Sequence, residues 1–247
     1  MKILALIPAR MGSSRFPGKP LAKINGTPMI GHVYKKVSSL SSLTLTSVAT
    51  CDQEIYDYVE SIGGKAIMTS NSHERASDRC AEALLKIENE NNIIFDIVVM
   101  IQGDEPMVES EMVYEAIKPM QDDDSIEVVN LVADISSQEE FHDRNCIKVV
   151  CDINGNALYF SREPIPTESK DEKISMKKQV CIIPFRRDFL IEYINLNPTP
   201  LEVAESVDMM RVLEHGRKVR MVPTKYQTYA VDTLEDLIKV QKLMLKD

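Results

Sequence analysis

Short apolar runs alternate with stretches of helical spacing through the first half of the chain, and that alternation predicts its framework. Ile3 to Ile7 is apolar throughout, as a buried strand is. Pro28 to Val37 has proline near its start and apolar residues on one helical face, which predicts a first crossover helix. Leu45 to Thr50 reads as a second strand. A helix through Ile55, Val59 and Ile62 follows, ended by Gly63-Gly64. Ala66 to Met68 is a third, short strand. His73 to Arg79 opens a helix that runs on through Ala81, Leu84 and Ile87. Ile94 to Ile101 is nearly continuous in apolar residues, the pattern of a central parallel strand covered on both faces, and a helix begins near Glu109.

The second half breaks this rhythm. Val128 to Val132, Ile147 to Val150 and Ala157 to Arg162 read as strands, and the last two are joined by Asp152-Ile153-Asn154-Gly155-Asn156, a hairpin signal. Thr167 to Lys177 is dense in charge and reads as an exposed, mobile loop. Lys178 to Phe185 is expected as one strand, followed by a helix through Phe189, Ile191 and Ile194 that stops at Asn197-Pro198. Pro200 to Arg211 is expected as one long amphipathic helix, in which Met209, Met210 and Leu213 beyond it are core packing. Val219 to Val222 returns as a strand. In the last helix Asp232 reads as the N-cap, with Glu235 three residues on as its capping-box partner. The expected architecture is α/β: a mostly parallel, Rossmann-like sheet flanked by helices, with a smaller antiparallel lobe. The single domain would have a core of about 1–125 and 215–247 and a lobe of about 126–214.

Composition sharpens this picture at one point. The 247 residues carry a formal net charge of −9, which argues against a general nucleic-acid-binding surface. Against that balance, the segment after the first strand, Ile7-Pro8-Ala9-Arg10-Met11-Gly12-Ser13-Ser14-Arg15-Phe16-Pro17-Gly18-Lys19-Pro20, is conspicuously cationic. Its glycines let the backbone approach a ligand, and its serines and cations suit phosphate oxygens. It is neither a P-loop nor a dinucleotide fingerprint: five residues separate Gly12 from Gly18, and Pro20 stands where a P-loop has its hydroxyl. Three cations exceed what a dinucleotide pyrophosphate needs, and they point to a triphosphate. The alternative is a solvated basic turn. The five cysteines and four histidines show no disulfide or zinc spacing, no stretch reads as a signal peptide, and no apolar run is long enough to span a membrane, so a soluble cytoplasmic protein is expected.

Three further places carry candidate chemistry. Ser77 and Arg79 either cap a helix or face the nucleotide from a second loop. Asp104, in Gln102-Gly103-Asp104-Glu105-Pro106 after the central strand, is either a metal ligand or a cap for the helix near Glu109. Arg162, at a strand end, is an anion anchor or a surface arginine.

Taken in order, Ile-Pro-Ala-Arg with Ser-Arg-Phe-Pro-Gly-Lys-Pro-Leu, Gln-Gly-Asp-Glu-Pro, Tyr-Phe-Ser-Arg with Pro-Ile-Pro, Pro-Leu-Glu near residue 201, and Val-Asp-Thr-x-Glu-Asp-Leu make the chain closely resemble the CMP-Kdo synthetases, the 3-deoxy-manno-octulosonate cytidylyltransferases, from residue 1 to about 240. The resemblance implies a nucleotidyltransferase fold whose lobe binds the sugar and forms a homodimer. It implies the use of CTP, Mg2+ and a small acidic sugar, for bacterial cell-surface polysaccharide synthesis. Asp104 and Asp232 match the family's metal-binding aspartates, and Arg10 and Lys19 its phosphate-binding cations. Ser13, Ser14 and Arg15 share that loop, Ser77 and Arg79 replace the nucleotide-contacting Thr and Arg, and Gln102 and Arg162 match polar residues of the sugar-acid site. Glu205 and Asp208 lie on the helix that lines it. The family's Gly-Thr-Glu is Ala76-Ser77-Asp78 here, and its Arg-His-x-Gly-x-Tyr-x-Tyr is Lys178 to Phe185, with Gln179 for His and Ile183 for the first Tyr. These changes alter the hydrogen-bond demands on the sugar side. They leave open a modified acceptor such as 8-amino-Kdo or a nonulosonic acid. A nucleotide-binding protein without activity is the alternative from outside the class.

Overall fold

The first apolar run forms β1 (Ile3–Ala9), buried at every position. Full burial of side chains such as Leu4 and Ile7 contributes about 1.5–3 kcal/mol each. The computed structural model describes residues 1–12, 15–167 and 175–245. After β1 come a turn of 3-10 helix at Lys19–Leu21 and a small antiparallel pair, β2 (Lys23–Ile24) and β3 (Thr27–Pro28). Then α1 (Met29–Ser38), β4 (Leu45–Thr50), α2 (Gln53–Ser61), β5 (Ala66–Met68), α3 (Ala76–Asn91) and β6 (Ile97–Ile101) follow in turn, and α4 (Ser110–Asp122) leads out. Strands β1, β4, β5 and β6 are parallel, in the order β6-β1-β4-β5. The chain therefore works outward from β1 through β4 and β5, then crosses to its other side at β6. In an open α/β sheet, ligands bind beyond the strand ends where that order reverses. Here those ends are Ala9 and Ile101.

Two elements start later than expected. β6 begins at Ile97 rather than Ile94, because Asn92 ends α3 in the left-handed region at φ 49° and Ile94 is left 62% exposed. α3 begins at Ala76 rather than His73, leaving 69–75 as a loop.

The second unit contains β7 (Val129–Asp134), α5 (Gln138–His142), β8 (Lys148–Cys151), β9 (Ala157–Ser161), β10 (Lys177–Val180), β11 (Ile182–Arg186), α6 (Arg187–Tyr193), α7 (Pro200–Glu205), α8 (Met209–Glu214) and β12 (Arg220–Pro223). Its sheet runs β12-β7-β10-β8-β9, antiparallel except for the β12–β7 pair. The Asn154-Gly155 turn joins β8 to β9, with Gly155 at φ 77°. Residues 168–174 of the charged loop expected at Thr167 to Lys177 lie outside the described residues. α9 (Leu234–Leu243) then closes the chain. Its Leu237 and Val240 pack with Val231 on Ile24 and Met29, so the end of the chain belongs to the first unit.

Three expectations are corrected. The run Lys178 to Phe185 is two strands, since the pairing with β7 shifts by two residues between Val180–Leu131 and the lone bridge of Phe185 to Val128. The helix expected over Pro200 to Arg211 is α7 and α8, broken where Ser206 turns left-handed at φ 52°. The seams fall at 114/115 and 227/228 rather than near 125 and 215, giving Met1–Tyr114 with Thr228–Asp247, and Glu115–Gln227. The later seam moves because β12 pairs with β7, which places residues 220–223 in the second unit.

Candidate functional site

At the sheet's reversal point in the first unit, the ends of β1 and β6 approach closely. A Cβ on Gly103 would lie 3.1 Å from the Pro8 carbonyl oxygen and 3.1 Å from Ile30 Cδ1, so only glycine fits without displacement. A cleft of about 310 Å3 opens there, lined by Arg10, Arg15, Lys19, Gln102, Asp104 and Asp232 among others. The cationic loop reaches it through a tight turn. Gly18, at φ 74°, donates its N–H to the Met11 carbonyl at 3.0 Å, and this closes the loop and starts the short helix that carries Lys19. At the loop's entry, Asp52 accepts the Met11 N–H at 2.8 Å. Asp52 occupies the N-cap position of α2 but makes no side-chain cap, because its carboxylate holds the loop instead. Ser13 and Ser14 lie outside the described residues.

Lys19 is the centre of the cleft. Its Nζ donates to Asp104 Oδ2 at 2.7 Å and to Asp232 Oδ1 at 3.1 Å, and Arg15 donates to the same Asp232 oxygen at 3.1 Å. Lys19 is 213 residues from Asp232, and the join is made by the Val231 N–H on the Asp104 carbonyl at 2.9 Å. Burial pulls the Lys19 pKa down, but Asp104 and then Asp232 outweigh it and hold the ammonium above its ordinary value. The expected N-cap at Asp232 is corrected. Thr233 caps α9 through the Asp236 N–H at 3.2 Å, and Asp236 returns the bond to the Thr233 N–H at 2.9 Å. The box is shifted by one residue from Asp232 and Glu235, which frees the Asp232 carboxylate for the cleft. Asp104 does not cap α4, which starts at Ser110, and its carboxylate meets Lys19 instead.

The second loop contributes the rest of the lining. Arg79 is 3% exposed and donates to Thr69 Oγ1 at 2.5 Å and to the Ser70 and His73 carbonyls at 3.3 Å. It borders the cleft with His73, Glu74 and Arg75. Ser77 is fully buried in the first turn of α3 and is not part of the lining. Sequence reasoning missed His73, Glu74, Arg75 and Gly103 as cleft residues. The motif stretches that contain them were the available signal. Overall the lining holds five cationic side chains (Arg10, Arg15, Lys19, Arg75, Arg79) against three carboxylates (Glu74, Asp104, Asp232), a cationic spot on a chain of net charge −9.

Among the described residues there is no group of three or more His, Cys, Asp or Glu side chains arranged for a metal ion. Asp104 and Asp232 nevertheless already converge on one cation, the Lys19 ammonium. Two carboxylates completed by substrate phosphate oxygens form the donor set that suits Mg2+. The residues fit such an ion.

The remaining predicted residues lie in the second unit. The Arg162 guanidinium donates to the Glu205 carbonyl at 2.8 Å, the Arg144 carbonyl at 2.9 Å and the Ser206 carbonyl at 3.2 Å. Glu205 in turn accepts from Tyr159 at 3.1 Å, Ser161 at 3.0 Å and the Arg162 N–H at 2.9 Å. These two residues are therefore brought together. Gln179 donates from Nε2 to Asn130 at 2.5 Å, Ile183 is 3% exposed, and Asp208 occupies the N-cap position of α8.

The cytidylyltransferase family model matches residues 4–219. The 3-deoxy-manno-octulosonate cytidylyltransferase of Geotalea uraniireducens is 42% identical over 257 residues, covering 100% of both chains. That of Geobacter metallireducens is 43% identical over 251 residues, covering 97% of this chain and 96% of the relative. A solved structure of CMP:2-keto-3-deoxy-manno-octonic acid synthetase complexed with CTP superposes with a TM-score of 0.91 at 39% identity, covering 100% of this chain and 99% of that one. With the cationic loop, the Asp104–Lys19–Asp232 cluster and these matches over the whole length, the chain belongs to the cytidylyltransferase family, alongside the 3-deoxy-manno-octulosonate cytidylyltransferases.

Proposed function

We propose that this chain transfers the cytidylyl group of CTP to 3-deoxy-manno-octulosonate, giving the CMP-sugar and pyrophosphate for cell-surface polysaccharide synthesis. The observation that carries the reading is Lys19 held between Asp104 and Asp232 at the sheet's reversal point. The anomeric hydroxyl of the sugar attacks the α-phosphorus. The new O–P bond forms as the bond to the pyrophosphate oxygen breaks, and the hydroxyl proton passes to solvent. Lys19 has three N–H donors. Two point at carboxylates, which leaves one for a phosphoryl oxygen. With Arg10 it stabilises the charge that gathers on the departing pyrophosphate. Arg15, Ser13, Ser14, Arg79 and Gln102 are the further nucleotide-side positions, whereas Ser77 is buried outside the cleft lining. Mg2+ on Asp104 and Asp232 supplies Lewis-acid neutralisation of the triphosphate charge when bound.

Gln102, Arg162, Gln179, Ile183, Glu205 and Asp208 are the acceptor-side positions. Gln179 and Ile183 replace an imidazole and a phenol, and this favours testing a modified acid as a second reading. Such an enzyme works where CTP is available, in the cytoplasm, and as a homodimer. Among the described residues no helix is long and apolar enough to cross a membrane.

The test is pyrophosphate release with CTP and Mg2+ across 3-deoxy-manno-octulosonate, its 8-amino analogue and nonulosonic acids. Release with the first establishes the proposal. Release only with another acid keeps the chemistry and moves the substrate, and CTP binding without release from any of them overturns the enzyme reading.

A further inference from the structure

Arg79, Glu82 and Lys86 follow one another at spacings of three and four on α3, so they share one helix face. Long side chains on a helix lean toward its N-terminus. All three reach back onto the end of β5 and the connection from it to α3. Arg79 holds Thr69, Ser70 and His73, as described above. Lys86 donates to the Met68 carbonyl at 2.7 Å, at the end of β5. Glu82 sits between them. One of its oxygens accepts the Ser70 N–H at 2.9 Å and holds His73 Nε2, while the other takes the Lys86 ammonium at 2.7 Å. Burial would raise the Glu82 pKa, but hydrogen bonds from Lys86, the Ser70 N–H and His73 outweigh it and hold the carboxyl at about 2.

The consequence reaches the cleft, because His73 is part of its lining. A loop without regular structure is ordinarily costly to order when a ligand binds, at about 0.5–1.5 kcal/mol per immobilised side chain. Here three charged groups on one rigid helix have fixed it beforehand. We infer that Glu82 is a positioning residue of the nucleotide site: it fixes the His73 imidazole and the 70–73 turn, so that this wall of the cleft is formed before the nucleotide arrives. The inference rests on the reading of the cleft as the CTP site. It adds Glu82, a residue outside the cleft lining, and His73, through which Glu82 acts.

The experiment measures CTP binding by calorimetry and steady-state turnover on the full chain. Glu82→Ala is expected to weaken CTP binding and raise KM for CTP about tenfold, with kcat within about twofold, since ground-state organisation is lost and the reacting groups are untouched. Glu82→Gln keeps an acceptor for Ser70 and His73 without the charge, and is expected to recover most of the binding. His73→Ala is expected to weaken binding to a similar degree, and adding it to Glu82→Ala should cost little more, because both act through one ring. Additive losses in that cycle overturn the inference, and so does an unchanged KM in His73→Ala, even if Glu82→Ala fails to fold. Wild-type protein that binds no CTP overturns the nucleotide reading itself, and the inference with it.

Discussion

Two lysines separate the polar chemistry of the two units. Lys19, in the first, is 11% exposed and faces two carboxylates across an open cleft. Lys148, in the second, is fully buried, and its ammonium donates to the Asp143, Cys146 and Arg162 carbonyls at 2.6–2.7 Å. Their pKa shifts run in opposite directions. Carboxylates outweigh burial at Lys19 and raise it, while burial dominates at Lys148 and lowers it. A lysine whose three donors are all taken by main-chain carbonyls has nothing left to offer a ligand, and it staples loops together. A lysine held by two carboxylates at a cleft can turn toward a phosphate. Arg162 lies between the two, because its guanidinium gives three of its five N–H donors to carbonyls and keeps two. Burial together with partner type, more than charge alone, distinguishes the two kinds of cation.

The contrast can be broken at three places. The largest effect is expected in the second unit, where Arg211 meets Glu202 through two bonds of 2.7 Å, with 4% and 0% side-chain exposure. Glu202→Ala leaves a buried guanidinium without its partner and should cost about 3–5 kcal/mol, read as a Tm fall of roughly 6–20 °C by calorimetry. CTP affinity in the cold, folded protein should not change. Next, Lys19→Met should lower turnover by about 10²–10³, with a much smaller shift in Tm. A large loss of stability with normal kcat would place Lys19 with the staples. The smallest effect is expected for Lys148→Met, which takes a donor from three carbonyls, of which Asp143 keeps the Cys146 N–H, and should cost about 1–3 kcal/mol in denaturant unfolding while KM for CTP stays at its wild-type value. Loss of CTP binding there would erase the distinction.

The sequence carried the parallel core well, because strands covered on both faces must be apolar throughout, and Ile3 to Ile7 and Ile97 to Ile101 are. Lys19 and Asp104 were candidates from the loop and the strand-end motif, whereas Asp232 read as a cap and became a candidate only through the family resemblance; nothing in the sequence said that both carboxylates would share the Lys19 ammonium. Breaks inside favourable patterns were not legible. Cys181, where β10 gives way to β11, has apolar neighbours on both sides, and Pro184, the residue that marks a break in this run, stands three positions later, inside β11. Ser206 adopts a left-handed conformation that serine seldom takes, inside a stretch of helical periodicity. The cap of α9 was misplaced by one residue because Asp232 and Thr233 are both good caps, and only the contact with Lys19 separates their roles. Glu82 was invisible for a different reason. Its importance depends on a loop that folds back along α3, and helical periodicity does not report that.

The first unit is stitched from the two ends of the chain, with the whole second unit in between. During synthesis, Asp104 and the cationic loop emerge early, whereas Asp232 and α9 emerge after more than a hundred intervening residues. A nascent chain therefore holds Lys19 and Asp104 without the second carboxylate, and the small apolar cluster of Ile24 and Met29 lacks the α9 side chains that cover it. Completion of the cleft and closure of that cluster are a single late event. On the ribosome, the capacity to handle a triphosphate waits for the segment that carries Asp232 and α9.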